Sequence, residues 1–247
     1  MKKQKIIIIV FVVVLIFCIF LVINKLTRKD ENKIDSNYND PSIKYDESLS
    51  LTSDLTISLY YSTRSKLHSD DMYFYKKDKI LISEVDKDIH MNILFYKLER
   101  MNLLEEEYIL ESIVKEEYSN IFGKNNLYSK LDSFFYDNYE IKYGKTADEN
   151  EYMYYYKIKE NKSTNTLYVS EIVSSFKYND KIEITEIVAF VNDNGSYIDS
   201  DYKNKISDKV FSKEDILNES NKLNKYKYTF NYNEKENKYY YYSYEKE

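Results

Sequence analysis

Residues Thr166 to Tyr197 read TLYVSEIVSSFKYNDKIEITEIVAFVNDNGSY. Side chains that alternate with a period of two mark a β-strand with one face buried. The alternation runs through Thr166–Tyr178, turns at Asn179-Asp180, and resumes over Lys181–Val191. In the second run Ile182, Ile184, Val188 and Phe190 share a face, and Glu186 interrupts it. Asn194-Gly195 is the strongest hairpin signal in the chain, because both central residues of a type I′ turn need positive φ.

Working outward, the same period recurs at Tyr139–Tyr143 and at Tyr152–Ile158, where Tyr152, Tyr154, Tyr156 and Ile158 line one face. Toward the C-terminus, Ser212-Lys213-Glu214-Asp215 caps a short helix to about Leu223. A last hairpin pairs Lys225–Tyr232 with Lys238–Glu245 across Asn233–Asn237. Upstream the period is helical. Ser83-Glu84-Val85-Asp86 opens a helix through about Met101, with Ile89, Ile93, Leu94 and Leu98 on its apolar face. Asn102-Leu103-Leu104-Glu105 opens a second, with Glu105, Glu106 and Glu107 in the first turn and Gly123 as C-cap. Leu110, Ile113, Val114, Tyr118 and Ile121 recur along it at helical spacing. Helices, then an antiparallel meander, then a helix and closing hairpin predict an α+β class, with helices packed on one face of a twisted antiparallel sheet.

The N-terminus is of another kind. Ile6–Ile23 is an unbroken apolar run of 18 residues between Lys2, Lys3, Lys5 and Lys25, Arg28, Lys29. As a helix it rises about 27 Å, close to the hydrocarbon thickness of a bilayer. No small-residue cleavage site follows it, so the expectation is a retained single-pass anchor over 1–24, with the short N-terminal tail in the cytoplasm. Cys18, the one cysteine, lies in mid-span and serves neither as a lipidation site nor as a nucleophile. The polar stretch 25–54, holding the single proline Pro41, reads as a flexible tether, and 55–247 as one extracytoplasmic domain.

Composition narrows the chemistry. Three well-separated glycines supply no Walker loop, dinucleotide fingerprint or nucleophile elbow. The net charge is −6, but residues 1–29 carry six basic groups and no acid, leaving a net of −12 on the rest. An acidic body whose only arginines are Arg64 and Arg100 makes a poor nucleic-acid partner. His68 and His90 have no partners at metal-ligand spacing and read as surface or packing groups. Asn192–Asp201 resembles a calcium loop only until Phe190 falls at its first ligand position, and a plain turn is expected there. The 42 acids offer many carboxylate pairs but no local glycosidase signature. No nucleophile–base pair, metal set or cofactor motif is named.

Tyrosine is the distinctive residue, with 29 copies and no tryptophan. Eight fall between Tyr226 and Tyr244. Alternation places Tyr226, Tyr228, Phe230 and Tyr232 on one face of the closing hairpin and Tyr240, Tyr242 and Tyr244 on a packed face opposite. Tyr239 and Tyr241 then point outward and form a candidate partner-binding surface.

The basic start, the anchor, the polar tether, Phe74-Tyr75-Lys76-Lys77-Asp78-Lys79 ahead of the first helix, and the closing Lys225-Tyr226-Lys227-Tyr228-Thr229-Phe230 and Tyr239-Tyr240-Tyr241-Tyr242-Ser243 segments carry a resemblance. The chain resembles membrane-anchored proteins of low-GC bacteria that have no assigned activity. Its outline is also similar to cystatin-like or NTF2-like extracytoplasmic domains. The resemblance implies an anchored envelope protein and brings no catalytic residue. The expected function is binding of another envelope protein, the alternative being a small-ligand-binding or hydrolytic domain with a cavity between helices and sheet.

Overall fold

The computed structural model describes residues 46–65, 72–104, 108–137, 139–145, 151–158 and 167–247. The anchor segment, Cys18, most of the tether and His68 lie outside the described residues.

Among the described residues twelve strands alternate with four α-helices. In chain order they are β1 (Glu47–Ser48), α1 (Asp54–Tyr61), β2 (Lys79–Leu81), α2 (Lys87–Arg100), β3 (Tyr108–Leu110), α3 (Glu111–Phe122), β4 (Ser133–Tyr136), β5 (Tyr139–Lys145), β6 (Tyr152–Ile158), β7 (Tyr168–Lys177), β8 (Lys181–Asn192), β9 (Gly195–Tyr197), β10 (Lys205–Ser207), α4 (Lys213–Asn218), β11 (Asn224–Asn233) and β12 (Lys238–Lys246). They form an eight-stranded antiparallel sheet of order β1-β7-β8-β11-β12-β2, with β9 and β10 added beside β8, and a separate four-stranded antiparallel sheet of order β3-β6-β5-β4.

This corrects the expected class. The protein is mostly β, with strand over 40% of the described residues and helix over 26%, and it is not a layer of helices on one sheet. Two misreadings account for the difference. The long helix expected from Asn102 is divided: Asn102 takes a left-handed φ of 57° after α2, Tyr108–Leu110 extends as a strand, and α3 starts only at Glu111. The expected single meander is two sheets, because β6 pairs with β5 and β3 rather than with β7. Strands of three residues, such as β2, β3, β9 and β10, are too short to show a period. The cystatin- or NTF2-like outline does not hold.

The elements at the quoted stretch form as expected, with one shift. The β7–β8 hairpin turns at Asn179-Asp180. In the β8–β9 hairpin Asn192 pairs with Gly195, so the loop residues are Asp193 and Asn194, and neither has positive φ. Gly195 is required at the next position, where φ is +131° and an added Cβ would lie 2.1 Å from the Ser207 carbonyl oxygen of β10. At the end of α3, Gly123 takes φ +80° as expected of a C-cap. Ser212 and Asp215 close a reciprocal capping box on α4.

One core joins the two sheets, α2 and α3. It includes Phe95, Leu98, Val114 and Ile121 from the helices, Phe134, Ile141 and Tyr154 from the small sheet, and Ile184, Val188, Phe190, Tyr228, Phe230 and Tyr244 from the large one. A smaller cluster of Ile187, Ala189, Phe211, Ile216 and Leu223 lies on the other face of β8, beneath α4. Ile187 to Val191 are consequently buried on both faces, which is why that run is continuously apolar.

The closing hairpin forms in the expected place, but its outward face is corrected. Thr229 pairs with Ser243 and Phe230 with Tyr241, so Tyr242 is an extra residue in a β-bulge. The bulge breaks the alternation. Tyr241 and Tyr244 both reach the core, at 2% and 0% exposure, while Tyr242 is 46% exposed. Tyr241 therefore does not point outward. Tyr239 is half-buried, its ring centroid 4.9 Å from that of Tyr232.

The tether boundary also moves. β1 pairs with β7 through Glu47–Lys177 and Ser48–Phe176, the Leu49 amide donates to the Ser175 carbonyl at 2.8 Å, and Ser53 caps α1 by accepting from the Thr56 amide at 3.2 Å. Residues 46–54 belong to the folded body.

Candidate functional site

Glu186, the acid that interrupts the apolar face of β8, sits at 0% exposure in the centre of the large sheet's core face. An ionised carboxylate there costs several kcal/mol in solvation unless it is paired and hydrogen-bonded. Its partner is Arg64, 6% exposed, in the segment that follows α1. Arg64 Nη1 lies 3.0 Å from Glu186 Oε1 and 3.1 Å from Oε2.

Four tyrosines complete the arrangement. Tyr75 donates to Glu186 Oε1 at 3.1 Å and accepts from Arg64 Nη1 at 3.0 Å. Tyr228, on β11, donates to the same carboxylate oxygen at 2.5 Å and accepts from Nη1 at 3.3 Å. Tyr60, on α1, donates to Oε2. Tyr168, on β7, accepts from Arg64 Nη2 at 2.5 Å. Tyr75 and Tyr228 thus bridge anion and cation, each giving its proton to one and its lone pair to the other. The guanidinium carbon also lies 5.3 Å from the Tyr60 ring centroid, 5.6 Å from that of Tyr168 and 6.0 Å from that of Tyr75, within cation–π range.

The site comes together because of strand register. Tyr226 and Ile172 flank Glu186 on β11 and β7, and Tyr228 lies one same-face position further along β11. A bulge at Val173 in β7 adjusts the pairing next to Glu186. Burial works against the Arg64 charge, but Glu186 and the surrounding phenols more than offset it and hold the guanidinium well above its ordinary value. Burial raises the phenols of Tyr60, Tyr75 and Tyr228 well above theirs, so all three remain protonated donors.

Of the residues singled out in the sequence, His90 is buried on α2. Its Nε2 donates to the Ile82 carbonyl at 2.6 Å, and Nδ1 lies 3.1 Å from the Tyr118 hydroxyl. Burial lowers its pKa. It is a packing residue. Asn192 closes a turn, accepting from the Asn194 amide at 2.8 Å. Among the described residues no group of three or more His, Cys, Asp or Glu converges as a metal site. An open polar depression of about 310 Å³ lies beside the tyrosine cage, with Tyr75 in its wall and Lys76, Asp78, Asp199, Asp201 and Lys246 around it.

The fold and site define a two-sheet antiparallel β domain organised around a buried Arg–Glu pair in a tyrosine cage. No protein family, curated protein or solved structure matches the chain. In the sequence Arg64 and Glu186 stand in separate segments, and no motif joins them. The available signal was the acid itself: at the centre of a buried apolar face it needs a cation, and the body has only two arginines.

Proposed function

We propose that the chain is a membrane-tethered interaction module displayed on the outer side of the cell membrane, binding another envelope protein. The observation that carries this reading is the 18-residue apolar run Ile6–Ile23 with basic residues on both flanks. Because the folded body reaches back to residue 46, the polar stretch left between it and the anchor segment is residues 25–45. Phe95 and Leu98 of α2, Val114 of α3 and Phe190 and Tyr228 of the large sheet are buried members of one apolar core, which favours interaction over the small-ligand or hydrolytic alternative.

Protease added to intact, wall-stripped cells is expected to degrade residues 46–247 and leave a membrane-embedded N-terminal fragment. Full protection of the body in intact cells, or recovery of the full chain in the soluble fraction, overturns the reading. In vivo cross-linking through the body is expected to capture an envelope protein.

A further inference from the structure

The cage has two sources. Glu186, Tyr168 and Tyr228 stand on the sheet and Tyr75 on the turn before β2, while Arg64 and Tyr60 arrive from the N-terminal segment 46–65. That segment is held in an unusual way. Its buried side chains are Thr56, Ser62, Thr63, Arg64 and Ser65, all of them polar. Leu55 on α1 is 39% exposed, and Ile57 and Leu59 are only half-buried. Thr56 Oγ1 bonds Ser175 Oγ at 3.0 Å, and β1 adds two residues at the sheet edge. Leu49, Leu59 and Tyr60 do pack against the core, but only as half-buried side chains. A peripheral segment fastened mainly by polar bonds opens at lower free energy than the core it covers.

With the segment lifted, what remains is a carboxylate ringed by three phenols. Tyr75 and Tyr228 fix the carboxylate by donating to it and turn lone pairs toward the position of the cation. The Tyr168 hydroxyl accepts from a second nitrogen, and the Tyr75 and Tyr168 rings lie at cation–π distance. Acceptors on separate nitrogens, together with ring faces, suit a planar multidentate guanidinium better than a compact ammonium.

We propose that Glu186, Tyr75, Tyr168 and Tyr228 form a guanidinium-binding site that the chain keeps closed with its own Arg64, and that lifting the 46–65 segment opens it to an arginine side chain of a partner protein. The proposal goes beyond the interaction-module reading and does not depend on the membrane arrangement, so it is tested on the full chain in detergent.

Arg64→Ala leaves the cage without its occupant. Millimolar ethylguanidinium is expected to raise the melting temperature of this variant with saturation, by roughly 3 °C at ten times its dissociation constant. Ethylammonium is expected to do nothing, and neither probe should shift the wild type upward. Adding Glu186→Gln to Arg64→Ala should abolish the effect. An equal response to both cations, or none to ethylguanidinium, overturns the site. Should Arg64→Ala fail to fold, hydrogen exchange on the wild type decides. Amides of residues 57–63 are expected to exchange at least tenfold faster than those of β8 and β11. Exchange of both regions at one common rate overturns the release of the segment and with it the proposal.

Discussion

Tyr228 and Tyr244 are neighbours on the same sheet face, their rings 5.4 Å apart and both at 0% exposure, yet their hydroxyls meet opposite fates. Tyr228 donates to Glu186, and the other cage tyrosines are likewise bonded to Glu186 or Arg64. Among the described residues the hydroxyls of Tyr244 and of Tyr241 have no hydrogen-bond partner. Burial pushes both of these phenols up, so each stays neutral. A buried aromatic ring contributes through its area wherever it lies. Its hydroxyl contributes only where something meets it, and otherwise costs about 1–3 kcal/mol in lost solvation. On this sheet face the rings do the packing, and the ion pair is what meets the Tyr228 hydroxyl and leaves those of Tyr241 and Tyr244 unmet.

That contrast can be broken most sharply at the pair itself. Arg64→Met leaves the Glu186 carboxylate buried without its cation and is expected to cost about 3–5 kcal/mol in denaturant unfolding. The double variant Arg64→Met, Glu186→Leu should recover much of that loss; additive losses would show that the two charges are not coupled. The next effect concerns the bulge. Tyr241→Ala is expected to cost about 3 kcal/mol or more, and Tyr242→Ala about 0.5 kcal/mol or less. Equal losses in thermal melts would mean that alternation continues through the hairpin. Removing single oxygens sharpens the comparison further. Tyr228→Phe should cost about 1–3 kcal/mol, whereas Tyr241→Phe and Tyr244→Phe should be neutral or stabilising. The smallest effect belongs to His90. Its folded-state pKa is lowered by burial, so on acidification the unfolded chain takes up a proton first. Its contribution to stability is fully present above about pH 6.5 and declines as pH falls below that value. His90→Phe should flatten this part of the stability profile; an unchanged slope would remove His90 as its source.

The local pattern foretold many single elements, but neither the class they build nor the site. Period-two runs placed β5, β6, β7, β8 and the closing hairpin, and the capping box placed α4, because these features are written within a few residues of one another. Pairing is not. Nothing in Tyr152–Ile158 states that it joins β3 and β5 rather than β7. The bulge at Tyr242 is equally hidden, since one extra residue reverses the faces of all that precedes it while the composition stays the same. Arg64 and Glu186 lie 122 residues apart, beyond the reach of any motif.

By itself the sequence determined which strands alternate, that Glu186 stands on a buried face, and that Ile6–Ile23 differs in kind from the rest. Those properties follow from side-chain period and hydropathy, which are local. The tertiary structure alone decided that there are two sheets, that Tyr241 turns inward, and that Arg64 is the cation Glu186 requires. Each of these depends on register and on contacts between distant segments. Their free energy exists only once the chain has closed those loops and removed water from the groups that meet.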